Sequence, residues 1–515
     1  MKNKIVSFIK NFIVFIILLM SYTLLFSMIW VYNTFGNIGL EEIMFQINVP
    51  MTGTNTDYYY NYAQNALTYI ILCTFFSFLV INIIFSKKKN KAYPKRMKTK
   101  DSFMSTSLVV FKKKMDKKYI AKLIATFLIL IFCVTYTIQK TELIPYIENI
   151  TADSNFIKEE YIDPNNVNLQ FPETKRNLIY IYLESMESTY YSQENGGAYE
   201  QSLIEDLEEL AKENIAFSNS NTLKGLHVLP GATWTVGAMT AQTFGIPLKI
   251  PIEMNSYGKY DSFLPKVKGI GDILKEQGYN QMLAIGSDAE FGGRDHLYVQ
   301  HGDFKIFDFK ESIVEEKKTQ DDFVWWGFPD KDLFEYSKEK ISMLSNLDEP
   351  FNFTMLTVDT HAIDGYICED CEEKFDEQYF NALDCSSRKI KEFIEWIQEQ
   401  DFYENTTIVL CGDHISMQPR TFTEVDDSGY DRTVLDIFIN PSEIPENTKY
   451  KYASTMDMFP TTLASLGVKI DGNKLGLGTN LFSDTTTIIR KYGLNYVAEE
   501  LKKNSKFYNT KFIYD

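Results

Sequence analysis

The stretch 178–184, Leu-Ile-Tyr-Ile-Tyr-Leu-Glu, is the clearest guide to the fold, because a short apolar run ends directly in a carboxylate. Three later stretches repeat this pattern: Met282-Leu-Ala-Ile285 before Gly-Ser-Asp288, Phe353-Thr-Met-Leu-Thr-Val358 before Asp-Thr-His361, and Ile408-Val-Leu-Cys411 before Gly-Asp-His414. Each run has the length of a buried strand, and amphipathic helical stretches lie between the runs. The alternation predicts an α/β fold with a mostly parallel sheet flanked by helices.

The polar residues that follow these runs should meet at one edge of the sheet, where ligands bind in open α/β folds. The sharpest case is the last run, where Asp413 and His414 follow Gly412. Carboxylate and imidazole groups are the ligands expected for Zn²⁺ or Mn²⁺, and a glycine allows the tight turn that such a pair needs. With Glu184 at the end of the first run, the pair predicts a metal site.

A hydroxyl-rich segment lies between the first two runs. Residues 229–235 read Leu-Pro-Gly-Ala-Thr-Trp-Thr, and a short helical stretch follows them as far as Gly245. A threonine at a helix start is commonly only a cap. The same position also sets a hydroxyl beside free backbone N–H groups and the positive end of the helix dipole, which is a phosphate site. These residues alone leave both interpretations open for Thr233 and Thr235.

The N-terminal part predicts a membrane anchor. Residues 32–64 contain no Lys or Arg, whereas residues 87–118 contain thirteen. The positive-inside rule therefore places the second loop in the cytoplasm and everything after about Lys140 outside. A basic nucleic-acid arm is the alternative, but the flanking apolar spans and the acidic net charge of −17 argue against a nucleic-acid partner. The three predicted transmembrane spans are about 12–31, 67–85 and 119–138.

The domain organisation follows from these patterns. The chain has 515 residues, 45% of them hydrophobic and 23% charged, which excludes a disordered protein. Prolines interrupt the stretch after the third span, which we interpret as a juxtamembrane linker. The predicted parts are an anchor over 1–139, the linker over 140–172, an extracytoplasmic α/β domain over 173–487, and a C-terminal tail over 488–515.

Three of the six cysteines, Cys368, Cys371 and Cys385, lie in the predicted external domain outside its buried strands. Cys368 and Cys371 have half the spacing of a zinc site, but no second pair at ligand spacing follows them. Outside the cytoplasm a disulfide is favoured. We therefore expect Cys385 to be bonded to Cys368 or Cys371, and the sequence leaves the choice between these two open.

The order of these segments resembles that of the alkaline phosphatase/sulfatase superfamily, over about residues 170–485. Within it, the chain looks like the membrane-anchored phosphoglycerol transferases and lipoteichoic acid synthases. The segments that carry the resemblance are Glu184 in Leu-Glu-Ser-Met-Glu, the Thr235 segment, Phe291-Gly-Gly-Arg294, Asp359-Thr-His361 and Gly412-Asp-His414, with Trp325-Trp-Gly-Phe-Pro-Asp330 as a further familial stretch.

The resemblance implies a sulfatase-like sheet and one divalent metal, with Mn²⁺ favoured and Zn²⁺ or Mg²⁺ as alternatives. Its implied ligands are Glu184, Thr235, Asp413 and His414. Relatives carry a glycine ten positions after the nucleophile, and Gly245 stands in that relation to Thr235 and not to Thr233. Thr235 is therefore the expected nucleophile, with Thr233 as the runner-up.

The resemblance also implies substrate contacts. Arg294 would bind a phosphate, and His361 would bind a phosphate oxygen or protonate the leaving group. Asp288 would orient Arg294 or a substrate hydroxyl, although a plain loop carboxylate is an equal interpretation. Ala238 departs from the family, which usually has Ser or Gly there, and this leaves the packing behind the nucleophile open.

The expected function is the transfer of glycerol phosphate from phosphatidylglycerol to an extracytoplasmic glycan or polyglycerol-phosphate (teichoic-acid-type) acceptor, through a phosphothreonine-type intermediate at the cell membrane. Threonine cannot be converted to formylglycine, so sulfate-ester hydrolysis is disfavoured. One alternative is a phosphoethanolamine transferase acting on lipid A or a glycan. The other is a non-catalytic, membrane-tethered glycan-binding protein.

Overall fold

The computed structural model describes residues 2–35, 40, 43, 57–85, 117–249, 262–418 and 421–513. Most of the two loops on which the predicted topology depends lies outside these residues. The chain divides into two compact units, one of residues 1–33 and 57–143 and the other of residues 34–56 and 144–515.

The first unit contains three long apolar helices: α1 (Lys2–Phe35), α2 (Thr68–Ile84) and α3 (Lys117–Lys140). A short helix, Asp57–Tyr62, and a π-helical turn, Ala63–Leu67, lead into α2. The segments long and apolar enough to cross a membrane are Lys4–Phe35, Asp57–Ile84 and Lys117–Lys140. Large apolar side chains on these helices are exposed, which is what a lipid environment would cover. Their orientation in a membrane stays a prediction.

The second unit is built on a six-stranded sheet in the order β3-β2-β4-β1-β5-β6. All neighbouring strands are parallel except β6, which is antiparallel to β5. The predicted, mostly parallel α/β sheet is therefore confirmed. The strands are β1 (Asn177–Leu183), β2 (Asn280–Ile285), β3 (Lys305–Phe307), β4 (Phe351–Leu356), β5 (Thr406–Gly412) and β6 (Asp436–Ile439).

Helices cover both faces of this sheet, and β1 shows why its sequence is apolar throughout. Leu178, Tyr180 and Tyr182 join one buried cluster, whereas Ile179 and Ile181 join the other. The helices of this unit are α4 (Leu143–Thr151), α5 (Phe156–Glu160), α6 (Glu205–Glu213), α7 (Thr235–Phe244), α8 (Ile270–Glu276), α9 (Arg294–Gln300), α10 (Phe309–Val314), α11 (Asp330–Ser345), α12 (Gln378–Gln398), α13 (Thr423–Asp427), α14 (Met458–Ser465), α15 (Ile488–Tyr492), α16 (Leu494–Lys502) and α17 (Lys506–Tyr508).

The strand register brings the four predicted strand ends together. Leu183 at the end of β1 pairs with Gly412 at the end of β5. Leu356 at the end of β4 pairs with Tyr182 of β1 and Ile285 of β2. The polar residues that follow these strands therefore lie along one edge of the sheet.

The buried core extends beyond the predicted limits of the α/β domain. Ile157 in the predicted linker and Leu501 in the predicted tail both belong to the buried cluster that contains α7 and α14. Strand Leu169–Gln170 also pairs with strand Lys469–Ile470. The boundaries at 172 and 487 stay predictions, but side chains on both sides of each share one core.

Cys368, Cys371 and Cys385 form a cluster at α12. Cys371 and Cys385 are disulfide-bonded, and Cys368 Sγ lies 3.7 Å from Cys371 Sγ. Lys389 Nζ donates to Cys368 Sγ at 3.0 Å. The pairing is one of the two that we expect from the sequence.

Non-reducing peptide mapping of exported protein should recover Cys371 joined to Cys385 and Cys368 as a free thiol. Because thiols stay reduced in the cytoplasm, this map also tests the external location of the domain. Cys411→Ser, in buried β5, is the control and should leave the map unchanged. Three free thiols at 368, 371 and 385 would contradict both the bond and the location.

Candidate active site

The site is assembled where β1 and β5 end side by side. Glu184 follows β1, and Asp413 and His414 follow β5, so the register places all three next to each other. All three side chains are almost fully buried, with exposures of 2% or less. Buried acidic groups are costly unless they are paired or bind a cation. Their convergence therefore needs a functional explanation.

The distances within this group fit a single ion. His414 Nε2 lies 3.6 Å from Glu184 Oε1 and 3.4 Å from Asp413 Oδ2. Thr235 Oγ1 lies 3.4 Å from both Glu184 Oε2 and His414 Nε2. One ligand atom from each of Glu184, Asp413 and His414 lies within 4.8 Å of the others. The structure thus brings together the four predicted metal ligands, whose role stays a prediction.

Two further observations show that these residues suit a divalent metal. Asp413 Oδ1 accepts hydrogen bonds from the backbone N–H groups of Ser185 and His414, whereas the buried Oδ2 has no hydrogen-bond partner in the described part of the chain. His414 Nδ1 donates to the carbonyl oxygen of Ile415 at 3.0 Å, which turns the Nε2 lone pair toward the carboxylates. Burial, reinforced by Glu184, raises the pKa of Asp413 to about 8, and a bound cation would reverse that effect.

Thr235 is the first residue of α7, and the preceding Trp234 provides no side-chain cap. The positive end of the helix dipole therefore faces the hydroxyl and the predicted metal ligands. Gln242 fixes this helix to the sheet, because its Nε2 donates to the carbonyl oxygen of Gly412 at 3.1 Å. Thr233 is exposed, whereas Thr235 is partly buried beside the carboxylates. The geometry therefore supports Thr235 over Thr233.

Close packing around α7 explains one glycine in the segment. A Cβ atom on Gly237 would lie 2.7 Å from the carbonyl oxygen of Gly231, so a side chain there would push the loop 229–234 away from the helix. Ala238, the departure from the family, is fully buried and its N–H makes an ordinary helical bond to Trp234. A methyl group is thus accommodated behind Thr235.

Arg294 is a buried cation whose Nε–H donor is buried without a hydrogen-bond partner in the described residues. Its Nη2 donates to Ser287 Oγ at 3.0 Å and to the carbonyl oxygen of Asp288 at 2.7 Å, whereas Nε has no hydrogen-bond partner in the described residues. Burial lowers the pKa of Arg294 to about 10, so the guanidinium remains charged at neutral pH. A buried guanidinium with a free N–H suits a phosphate ligand.

The carboxylate of Asp288 faces elsewhere. It pairs with Lys310 Nζ at 2.9 Å and accepts the N–H of Glu290 at 3.0 Å. Only its backbone oxygen contacts Arg294. Of the interpretations that the sequence leaves open for Asp288, this arrangement supports a plain loop carboxylate, because the side chain is already paired with neighbouring residues.

His361 lies in an aromatic surrounding. Its ring centroid is 4.7 Å from that of Trp326 and 6.1 Å from that of Trp325. Its Nδ1 donates to the carbonyl oxygen of Ala362, which leaves Nε2 for proton exchange. Burial lowers the pKa of His361, so the ring is neutral at pH 7 and Nε2 can accept a proton.

Sequence reasoning missed the residues that hold the predicted metal ligands in place. Ser185 has a left-handed backbone conformation (φ +53°), donates its N–H to Asp413 and its hydroxyl to Glu184 Oε1 at 2.7 Å. Thr360 Oγ1 donates to the carbonyl oxygen of Glu184 at 2.6 Å. A positive φ and a contact across the sheet leave no signal in one sequence.

The segment after His414 has its own support. Glu187 is fully buried, accepts the N–H of Ser416 at 2.9 Å and accepts from Arg432 Nε at 3.0 Å. The bond from Ser416 connects the segments after β1 and β5, and the ion pair joins Glu187 to Arg432, which precedes β6. Its only sequence signal was the position of Glu187 three residues after Glu184 in the quoted motif.

The chain is similar to known proteins over much of its second unit. The sulfatase family model matches residues 176–468, more than half of the chain. Phosphoglycerol transferase I of Escherichia coli is 34% identical over 320 residues, which are 61% of this chain and 40% of that protein. The chain therefore spans about two fifths of the length of the curated relatives it matches.

Two solved structures are also similar to this chain. A protein in the alkaline phosphatase superfamily from Vibrio parahaemolyticus is 22% identical, with a TM-score of 0.48, covering 61% of this chain and 74% of that one. The lipoteichoic acid synthase LtaP from Listeria monocytogenes is 18% identical, with a TM-score of 0.48, covering 64% of this chain and 81% of that one. The residues that the family model matches, 176–468, contain Glu184, Thr235, Arg294, His361, Asp413 and His414. The superfamily that we expect from these motifs is therefore confirmed. The chain belongs to the sulfatase family.

Proposed function

We propose that this protein transfers glycerol phosphate from phosphatidylglycerol to an extracytoplasmic glycan through a covalent intermediate on Thr235. One observation carries this proposal: the Thr235 hydroxyl, at the start of α7, lies 3.4 Å from both Glu184 and His414. A hydroxyl held against metal-ligating groups and a helix N-terminus is arranged as a nucleophile toward phosphorus. The name of the E. coli relative supports glycerol phosphate as the transferred group.

The chemistry requires two displacements at one phosphorus atom. In the first, a bond forms between Thr235 Oγ1 and phosphorus, and the bond to the diacylglycerol oxygen breaks. Thr235 loses a proton and the departing oxygen gains one. In the second, an acceptor hydroxyl attacks phosphorus, and Thr235 regains its proton as the acceptor loses one. Both displacements are balanced without an oxidant or a further substrate.

The residues of this chain divide the work. A divalent metal held by Glu184, Asp413, His414 and Thr235 would lower the pKa of the hydroxyl and balance negative charge on the phosphoryl group. Arg294 offers its unused Nε–H to a phosphoryl oxygen. His361, neutral at pH 7, accepts the proton of the acceptor hydroxyl at Nε2.

Two features near His361 favour an uncharged glycan over polyglycerol phosphate as the acceptor. Residues 362–377, directly after His361, contain seven Asp or Glu and one Lys. Such a segment repels a polyanionic chain. Beside it, the half-buried ring of Trp325 stacks on Tyr366 at 6.2 Å, with an interplanar angle of 25°. Aromatic faces of this kind suit the apolar face of a sugar ring.

The predicted membrane anchor also supports the proposal. Three apolar helices precede the catalytic unit in the chain and are long enough to anchor it in a membrane. Phosphatidylglycerol in the outer leaflet would then lie within reach of an external site. The predicted topology and the donor thus support each other.

A donor and acceptor assay tests the function. Full-length protein in detergent with Mn²⁺ should release diacylglycerol from phosphatidylglycerol labelled in the headgroup, and should label a neutral glucan more than polyglycerol phosphate. Phosphatidylethanolamine is the matched donor control. Release from phosphatidylethanolamine alone would establish the phosphoethanolamine transferase instead. Release from neither lipid would contradict catalysis and favour the glycan-binding protein.

A further inference from the structure

The carboxylate of Asp330 serves a loop of the active site and not its own helix. Asp330 is the first residue of α11, yet the start of that helix has no side-chain cap. Instead, its Oδ1 accepts the N–H of Val358 at 2.8 Å and its Oδ2 accepts the N–H of Asp359 at 2.9 Å. In return, the N–H of Asp330 donates to Asp359 Oδ1 at 3.1 Å. These bonds clamp the loop that follows β4.

This clamped loop carries His361 and reaches the metal ligands. The N–H of His361 donates to the carbonyl oxygen of Val358 at 2.9 Å, which closes a turn directly on the clamped residues. Thr360, between them, donates its hydroxyl to the backbone of Glu184. A displacement of Val358 would therefore move His361 relative to the metal site.

The segment before Asp330 holds the other side of the same imidazole ring. Trp325 and Trp326, five and four residues upstream, both contact His361. Trp325 has a left-handed backbone conformation (φ +57°), which is rare for a bulky residue and costs energy. Asp330 therefore joins the two segments that enclose His361.

The cost of this arrangement argues that it has a purpose beyond stability. Asp330 and Asp359 are 0% and 3% exposed, and the Nζ of Lys389 lies 3.7 Å from Asp359 Oδ2. Lys389 itself is only 7% exposed. Buried charge networks contribute little net stability compared with apolar packing, so stability alone does not explain this one.

We propose that Asp330 is a positioning residue that sets the ring of His361 for proton transfer, acting through the loop 357–361, in which Lys389 is the counter-charge of Asp359. The inference rests on the proposed function, in which His361 exchanges a proton with the acceptor. Asparagine at position 330 would keep one acceptor oxygen but would turn an N–H₂ group toward a backbone N–H.

The test compares Asp330→Asn with the wild type as full-length protein in detergent with Mn²⁺. We expect kcat to fall by about 100-fold, the effect of a misplacement of about 1 Å, while KM for phosphatidylglycerol and metal content stay unchanged. The pH–rate profile should change as well. Its limb that depends on the protonation of His361 should shift to higher pH, because a loosened ring regains contact with water. Hydrogen exchange in the peptide containing residues 357–361 should become faster.

Asp332→Asn is the matched control, because this residue lies one half-turn further along α11 and pairs with Lys318 near the surface at 2.8 Å. It should change none of these quantities. Wild-type kcat or wild-type exchange in folded Asp330→Asn would overturn the proposal. If that variant does not fold, Lys389→Met decides in the same way, with the same expected directions. A wild type that releases no diacylglycerol would instead refute the proposed function, and the exchange data would still report on the clamp.

Discussion

Replacing Glu184 with Gln or His414 with Ala should release the divalent metal while the fold survives. Each substitution removes a group that lies within 4.8 Å of the other ligands. Loss of a partner outside the ligand set typically weakens metal affinity by about 10–100-fold, so loss of a ligand itself should weaken it by more than about 100-fold. Elemental analysis after gel filtration measures the metal content, and circular dichroism reports the fold.

Asp288→Asn is the matched control for this prediction. Its carboxylate lies on the same rim but pairs with Lys310, so the variant should keep its metal. Full metal content in both Glu184→Gln and His414→Ala would reject the ligand assignment. Loss of metal in the control as well would show that the rim, and not the ligands, controls binding.

The same site should bind metal more weakly in acid. In the metal-free protein, burial raises the pKa of Asp413 to about 8, so metal binding below that pH must displace a proton. The apparent affinity should therefore rise with pH by up to tenfold per pH unit and level off above about 8. The stability of the metal-free fold should depend on pH in the opposite direction. A carboxyl group with a raised pKa stabilises the fold at low pH, and that contribution is lost as pH rises through the pKa of the folded state. An affinity independent of pH between 6 and 8 would contradict a protonated Asp413.

Thr235→Ala should abolish both diacylglycerol release and labelling of the acceptor. Both displacements use the same oxygen, and removal of a nucleophile lowers kcat by about 10⁴-fold or more. Thr235→Ser keeps a hydroxyl at the start of α7 and should retain measurable turnover. Thr233→Ala should behave as the wild type, because Thr233 is exposed and lies outside the group of ligands.

The outcome separates three accounts of the reaction. Activity in Thr235→Ala with loss in Thr233→Ala would shift the nucleophile by two residues. Activity in both would exclude a threonine intermediate and leave direct attack by the acceptor on the donor. Loss in both, with metal retained, would show that the segment and not the single hydroxyl is required.

The residues that meet at one edge of the sheet could be predicted, because the apolar run of each strand and the polar residues after it are visible in the local sequence. Four apolar runs that end in Glu, Asp or His identify buried parallel strands, and geometry alone then places Glu184 beside Asp413. The antiparallel β6 was not predicted, because the short run Asp436–Ile439 has no feature that sets its direction.

The supporting residues could not be predicted, because their roles depend on contacts between distant segments. Asp330 has the sequence signature of an ordinary helix start, yet its carboxylate accepts hydrogen bonds from the loop that follows β4. The positive φ of Ser185 could not be inferred, because a serine after a glutamate carries no sequence signal for that backbone conformation. The role of Asp288 depends on the direction in which its side chain points, which the sequence does not reveal. In the structure the carboxylate points toward Lys310.

The central claim is a glycerol-phosphate ester on Thr235, and mass spectrometry of trapped protein tests it most directly. Full-length protein is incubated with phosphatidylglycerol and Mn²⁺ in the absence of acceptor, quenched in acid and digested. We expect an added glycerol phosphate on the peptide spanning residues 225–248, assigned to Thr235 by fragmentation and absent from Thr235→Ala. An adduct on Thr233, or turnover of the donor without any adduct on this peptide, would contradict the account.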